Sequence, residues 1–275
     1  MTAVCRVSKK ILIGDGQPLA IIAGPCVVEN EEIVLRTAEK LKTISDKLEL
    51  PLIFKSSYKK ANRSSADSFV TIGMEKALRI LEKVKNLFDL PILTDIHQEG
   101  EAKSVAEVSD IIQIPAFLCR QTNLIQAAAR TGRALNIKKG QFMAPEDMAL
   151  VAEKATRLGN PNLLLTERGT SFGYHNLVVD MRGLLIMQAL GFPVVFDATH
   201  SAQLPGGAGE ISGGQPEFAF PLAKAAIATG ACAAIFIETH PNPKKALSDS
   251  KTQLPLNEME SILQQLKTLH QYICS

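Results

Sequence analysis

The chain of 275 residues contains no apolar run near the roughly 20 residues needed to cross a bilayer. Its opening, Met1 to Lys10, lacks the apolar stretch and small-residue cleavage site of a secretory signal, so a cytoplasmic protein without membrane partners is expected. No block of five or six like charges occurs, and Lys+Arg 30 against Asp+Glu 28 leaves a formal net charge of +2. That balance excludes a broad nucleic-acid-binding or membrane-surface face, and any basic site must be local. The five cysteines, Cys5, Cys26, Cys119, Cys232 and Cys274, are odd in number and have no CxxC spacing. A disulfide framework and a zinc ribbon are thereby set aside, and the default for each thiol is a small buried hydrophobe. There is no low-complexity tract, and with 46% hydrophobic and 21% charged residues the chain can bury a large core.

What is present is a rhythm. Short apolar, β-branched runs recur at 19–23, 50–54, 91–93, 111–114, 134–137, 162–165, 192–196 and 233–237. They are continuously apolar rather than alternating, as expected of parallel strands covered on both faces. Segments of helical period lie between them, such as Val34, Ala38, Leu41, Ile44 and Leu48, or Met74, Ala77, Leu81, Val84 and Phe88. Pro145-Glu146-Asp147 is a helix opening and Gly159 a helix stop. Eight such units predict an α/β protein, a single-domain (β/α)8 TIM barrel over residues 1–275. An open doubly wound sheet gives the same alternation, but no GxGxxG follows the first run and no linker divides the chain. Residues 1–17 read as an N-terminal extension, with a short hairpin at 11–15 placed across the barrel's N-terminal mouth.

A barrel places its chemistry at the C-terminal ends of its strands. The residues there are unusually polar: Gly24-Pro25-Cys26, Lys55-Ser56-Ser57, Thr94-Asp95-Ile96-His97, Pro115-Ala116-Phe117, Lys138-Lys139, Glu167-Arg168-Gly169, Asp197-Ala198-Thr199-His200 and Glu238-Thr239-His240. Any one of these could be a cap or a solvated loop residue. Together they project into one mouth, where the repulsion among Lys55, Lys138 and Arg168 calls for anions between them. The following stretch, Tyr58 to Ser65, adds Lys60 as a point charge and Arg63 as a fork suited to phosphate. So many cations suggest more than one anionic group.

Cys26, His200 and Glu238 end the first, seventh and eighth strands, neighbours in a closed barrel, and Asp249 lies in the loop beyond. One thiolate, one imidazole and two carboxylates suit a borderline divalent ion such as Zn²⁺, Fe²⁺ or Mn²⁺, and suit Ca²⁺ poorly. These residues are too far apart in sequence to form a local motif. Asp95 and His97 are expected on opposite sides of their strand and so not at one ion. The glycine-rich stretch 201–215 lacks the Lys-Ser/Thr of a Walker loop and reads as a lid over the site.

Over essentially its whole length, from Ala23-Gly24-Pro25-Cys26 to Thr252-Gln253-Leu254-Pro255-Leu256, the chain resembles the 3-deoxy-D-manno-octulosonate 8-phosphate synthases. The most specific piece is Lys55 to Ser65, which matches the family's KANRSS loop. Supporting matches lie at 113–118, 136–142, 167–169 and 236–241. The resemblance implies condensation of phosphoenolpyruvate with D-arabinose 5-phosphate on a (β/α)8 barrel, in a homotetramer, with no organic cofactor. Its product feeds lipopolysaccharide or a plant pectic polymer. Lys60, Lys138, Arg168 and the Ala116 backbone would hold phosphoenolpyruvate, with Lys55, Gln113 and Gln141 in the same pocket. Asn62, Arg63 and Ser64 would hold the pentose phosphate, a contact that can cross a subunit boundary in the family. Ser57, Pro115 and Phe117 complete the expected substrate-binding set, and Lys60, Asn62, Asp95, Lys138 and His200 the catalytic set. Cysteine after the first strand marks the family's metal-dependent branch and asparagine its metal-independent one. Cys26 therefore implies a divalent transition metal held by Cys26, His200, Glu238 and Asp249. The alternatives are a related synthase using erythrose 4-phosphate, a Schiff-base aldolase acting through Lys138, and a non-catalytic sugar-phosphate sensor.

Overall fold

The computed structural model describes residues 4–62, 68–208 and 211–274. It opens with an antiparallel hairpin of β1 (Cys5–Arg6) and β2 (Leu12–Ile13). Next come β3 (Ala20–Gly24), β4 (Leu52–Lys55), β5 (Ile92–Asp95), β6 (Ile111–Ile114), β7 (Ala134–Lys138) and β8 (Leu163–Glu167). The short β9 (Thr170–Ser171) and β10 (Leu177–Val178) pair with each other. After β11 (Val194–Asp197), β12 (Gln203–Ala208) and β13 (Ile211–Gly214) form a second hairpin, followed by β14 (Cys232–His240). Each of β3 to β8 is parallel to the next, β11 pairs with both β8 and β14, and β14 pairs with β3. Among the described residues the ring thus closes with eight parallel strands, which settles the architecture as a (β/α)8 barrel against the open-sheet rival.

All eight strands fall on the anticipated runs; β6 coincides with its run, and the other seven end one to three residues further toward their C-termini. The shift has one cause: the polar residues taken as post-strand loop, such as Lys55, Asp95, Lys138 and Asp197, still share the ladder. The longest extension is in β14, which runs on through Glu238-Thr239-His240 because β15 (Leu254–Pro255) pairs with its end.

Helices α1 (Glu31–Leu48), α2 (Met74–Phe88), α3 (Ala102–Val108), α4 (Thr122–Ala129), α5 (Met148–Thr156) and α6 (Arg182–Ala189) cover the ring. The one-turn α7 (Ala198–Ser201), then α8 (Ala219–Ala228) and α9 (Met259–Cys274), complete the set. Helix α1 shows why such segments fold where they do. Asn30 accepts a hydrogen bond from the Ile33 amide at 2.9 Å, Glu31 and Glu32 face the positive dipole end, and the anticipated stripe from Val34 to Leu48 is buried. A cap of this kind contributes about 1 kcal/mol.

The core has two layers because strand residues alternate between faces. Ile21, Ala23, Leu52 and Phe54 face the helices. Ile22, Ile53, Leu93, Ile111, Leu164, Val195 and Phe236 face inward and meet Cys5, Val7 and Ile13 from the N-terminal hairpin. The hairpin therefore closes the lower mouth, although its arms are 5–6 and 12–13 rather than 11–15. The Val7 amide, bonding to the Ile11 carbonyl at 3.0 Å, tightens the turn. Ile13 is fully buried there. Ile13→Ala is expected to cost about 2–5 kcal/mol by opening a cavity in the inner layer. Urea unfolding should show a lower midpoint at unchanged slope; an unchanged midpoint would mean that the hairpin lies outside the cooperative core.

Candidate active site

The alternation that packs the inner layer also builds the site. Two residues beyond Ile53, Leu93, Ile111, Val195 and Phe236, on the same inward face, stand Lys55, Asp95, Gln113, Asp197 and Glu238. Lys138 occupies the corresponding place on β7, four residues beyond Ala134. Phe236 is the floor, with the Lys138 Nζ 3.7 Å and the Lys55 Nζ 5.3 Å from its ring centroid. Gly24 ends β3 because a Cβ there would lie 2.1 Å from the Lys55 carbonyl oxygen.

The cations are not mutually exposed. Lys55 is ion-paired with Glu238, and Lys138 with Asp197, all of them buried. The Lys60 Nζ lies 3.8 Å from Glu238 Oε1. Much of the anionic charge that the cation cluster called for is thus supplied by the chain itself. Arg168 alone of the four forms no ion pair among the described residues; its Nη2 donates to Gln203 Oε1 at 3.0 Å. Burial lowers the Lys138 ammonium, Asp197 opposes this and Lys55 adds to it, with a net lowering. Burial also works against charge on Lys60, but Cys26, Glu238, Asp95 and Asp249 outweigh it and hold that ammonium above its ordinary value.

The second cluster is compact. Ligand-type atoms of Cys26, Glu238 and Asp249 lie within 4.8 Å of one another. The Cys26 thiol is 3.0 Å from both Asp249 Oδ2 and Ser248 Oγ. His200 Nε2 lies 3.5 Å from Glu238 Oε2 and 3.7 Å from Asp249 Oδ2, while its Nδ1 is 2.8 Å from Asp197 Oδ2. A carboxylate behind an imidazole in this way fixes the ring and aims its far nitrogen. Burial, then Asp249 and Glu238, push the Cys26 thiol well above its ordinary range. Burial would likewise raise Glu238, but Lys55, His200 and Lys60 bring it down to about 2.

The two clusters border one cavity of about 510 Å³, within the range of small-molecule sites. Of the anticipated residues, Lys55, Lys60, Asn62, Asp95 and Gln113 line it. So do Pro115, Ala116, Phe117, Lys138, Gln141 and Arg168, with His200, Glu238 and Asp249 on the far side. Cys26 is buried behind Asp249. Ser57 is not in the wall; its amide bonds to the Cys26 carbonyl at 3.2 Å and so holds the turn that carries the thiol. Arg63 and Ser64 lie outside the described residues. Five buried polar atoms of wall residues have no hydrogen-bond partner among the described residues: Asp95 Oδ1, His97 Nδ1, Gln141 Oε1, Arg168 Nη1 and Glu238 Oε2. Unpaired groups this deep are the mark of a ligand site.

One expectation is corrected. His97 does not point away from Asp95: its Nε2 lies 3.0 Å from Asp95 Oδ2, and both line the cavity. Residues two apart in a strand share a face, so the spacing gave no ground for opposite sides, and β5 in fact ends at Asp95, with His97 beyond it. Burial would raise Asp95, but the His97 hydrogen bond and the charges of Lys60 and Lys55 hold it well below the carboxylate range. Three functional neighbours went unmarked as site residues. Asp197 serves both Lys138 and His200; its place at a strand end was the available signal. Gln253 accepts from the Cys26 amide at 3.1 Å and donates to the Ser248 carbonyl at 2.8 Å. Gln203 joins Arg168 to Asp249, and the segment it begins, expected as a lid, contains the paired strands β12 and β13.

A barrel whose upper mouth gathers buried cations beside a thiol, imidazole and carboxylate cluster is an enzyme scaffold that takes anionic substrates. The family model of the DAHP synthetase I family matches residues 2–275, and the chain belongs to that family. Within it, the chain is 55% identical over 261 residues to the 2-dehydro-3-deoxyphosphooctonate aldolase of Cyanothece sp., covering 95% of each chain. It is 55% identical over 259 residues to the protein of that name from Trichlorobacter lovleyi, covering 94% of this chain and 95% of the relative. With that of Dichelobacter nodosus it shares 56% over 257 residues, covering 94% and 92%.

The carboxylates set an acid limit on the fold. Asp95, Asp197, Asp249 and Glu238 all titrate below their ordinary values when folded. Below about pH 4 the unfolded chain therefore binds protons that the fold refuses, and stability falls as pH falls. Urea titrations should show this loss, with a shallower slope for Asp197→Asn; identical slopes in the two proteins would contradict the assignment of Asp197.

Proposed function

We propose that the chain condenses phosphoenolpyruvate with D-arabinose 5-phosphate and water, giving 3-deoxy-D-manno-octulosonate 8-phosphate and inorganic phosphate. The observation that carries this is the paired arrangement at one cavity: Arg168, with a free buried Nη1, on one side, and the Lys60 and Asp95 wall on the other. Relatives bearing the aldolase name over nearly the full chain support it. They favour neither the erythrose 4-phosphate synthase nor the Schiff-base aldolase.

In this reading Lys60, Lys138 and Arg168 hold the phosphate and carboxylate of phosphoenolpyruvate above Phe236. Gln113, Gln141, Lys55 and the Ala116 backbone shape the pocket, with Pro115 and Phe117 at its edge. Asn62, Arg63 and Ser64 take the pentose phosphate. Asp95, kept ionised by His97 and the lysines, accepts a substrate hydroxyl through its free Oδ1. The C3 of the enol attacks the aldehyde carbon, whose oxygen takes up a proton. Water adds at C2 and loses a proton, and the C2–O bond to phosphate breaks to release it. Holding two anions at attack distance can itself supply several kcal/mol of the barrier reduction.

We place the chain in the metal-dependent branch. Cys26, His200, Glu238 and Asp249 would hold a divalent transition ion: the donor set is the mixed S/N/O kind, and Glu238 Oε2 is buried without a hydrogen-bond partner. When bound, such an ion supplies Lewis-acid polarisation of a substrate oxygen. A homotetramer in the cytoplasm completes the proposal. The exposed Phe117, Phe142 and Phe172 near the mouth are of the type a neighbouring subunit covers, and no helix among the described residues is long and apolar enough to cross a membrane.

Phosphate release from the two substrates should vanish after chelation and return with added divalent metal; turnover that survives chelation would remove the metal site and leave the synthase. Cys26→Ala should lower metal affinity and activity at least about 100-fold, since even outer-shell losses cost 10–100-fold. Arg63→Ala should raise KM for the pentose phosphate about 10–100-fold, the worth of a charged hydrogen bond, with little change for phosphoenolpyruvate. Equal effects on both substrates would refute the assignment of Arg63.

A further inference from the structure

Gln203 is the first residue of β12 and pairs with Gly214 across the hairpin. Its side-chain amide spans two groups with separate proposed duties. Oε1 accepts from Arg168 Nη2 at 3.0 Å, and Nε2 donates to Asp249 Oδ1 at 3.2 Å. Arginine only donates and a carboxylate only accepts, so a single orientation of the amide satisfies both. On each partner Gln203 takes one atom of a pair. Arg168, a residue of the cavity wall, keeps Nη1, which is buried and has no hydrogen-bond partner among the described residues. Asp249 keeps Oδ2, the atom 3.0 Å from the Cys26 thiol and 3.7 Å from His200 Nε2.

The amide also keeps two opposite charges apart. Arg168 and Asp249 attract one another, and burial strengthens the attraction. Without the spacer they would close into a direct ion pair, drawing Nη1 from the cavity and Oδ2 from the thiol and imidazole together. Asp249 is already held in the left-handed region at φ 47, a conformation unusual for a residue other than glycine. Its carbonyl accepts from the Thr252 and Gln253 amides at 3.0 and 3.1 Å, so the backbone is held and the carboxylate is the part that would move if the Gln203 bond were lost.

We infer that Gln203 is a positioning residue that couples the anion site at Arg168 to the metal-ligand site at Asp249, so that occupancy of either strengthens binding at the other. This rests on the proposed roles of Arg168 and Asp249. A purely structural role for Gln203 would change stability or a single affinity. A coupling role changes the factor by which one ligand alters the other, and that factor must be the same in both directions.

The test uses two binding measurements and no turnover. Co²⁺ is titrated into metal-stripped protein with and without phosphoenolpyruvate, followed by thiolate-to-cobalt charge-transfer absorbance. Phosphoenolpyruvate is titrated calorimetrically into stripped and Co²⁺-loaded protein. In the wild type each ligand should tighten the other by at least about fivefold, by equal factors. In Gln203→Leu the factor should fall to within about twofold of unity, with both separate affinities weakened, and Gln203→Ala should repeat this if the leucine variant fails to fold. A variant that keeps the wild-type factor would overturn the inference, as would a wild type that binds both ligands without coupling. A wild type that binds no phosphoenolpyruvate would overturn the functional reading, and this inference with it.

Discussion

A closed ring of eight strands leaves its interior to side chains alone, and charge placed there must be balanced by charge from the opposite wall. Everything distinctive at the upper mouth follows from that constraint. The apolar layer ends in Phe236, and above it the same inward positions turn polar without any widening of the ring. Lys55 then meets Glu238 across β3, and Lys138 meets Asp197 across β8. Breaking either pair would strand a buried ion, at a cost of about 3–5 kcal/mol. The pairs therefore fix the geometry of the cavity before any substrate arrives. The cation with no carboxylate within ion-pair reach among the described residues is Arg168, which makes it the natural point of contact for a ligand anion.

Glu238 shows how closely the two halves of the site are joined. Its Oε1 faces Lys55 and Lys60, and its Oε2 faces His200. A single carboxylate thus belongs to the cation cluster through one oxygen and to the proposed metal-ligand cluster through the other. Asp197 does the same on the neighbouring strand, holding Lys138 and fixing the His200 ring. The two clusters share members because β11 and β14 are adjacent in the ring.

The sequence is most informative where burial acts on both faces of a strand. Runs such as Ile111 to Ile114 carry no alternation because helices cover one side and the inner layer the other. The strand-end residues were legible for a related reason: polar residues gathered at the same end of eight such runs point to a site, although single ones such as Lys139 and Thr199 are buried in structural roles. The pairing of the charges was not legible. Nothing local in Lys55 announces Glu238, 183 residues away, because their meeting depends on ring closure. Gln203 and Gln253 were hidden likewise, as uncharged side chains whose importance lies in what they bridge. His97 was misjudged: it lies beyond the end of β5 and returns to Asp95, a contact that strand alternation gives no reason to exclude.

Cys26 is the residue on which the chemistry of the cluster turns. Buried between two carboxylates, it is a neutral thiol donating to Asp249, which keeps three adjacent acids from carrying three charges. The asparagine that the resemblance associates with the metal-independent branch is also neutral, and also able to donate there. In the protein without metal the two residues therefore present similar electrostatics to Lys55 and Lys60, and the cations proposed to hold substrate need no rearrangement. The difference is that a thiol can release its proton when a divalent cation offers compensation, and an amide cannot. On this argument the proposed metal requirement would rest on one ionisable atom, set beside lysines whose charges Glu238 and Asp197 already oppose.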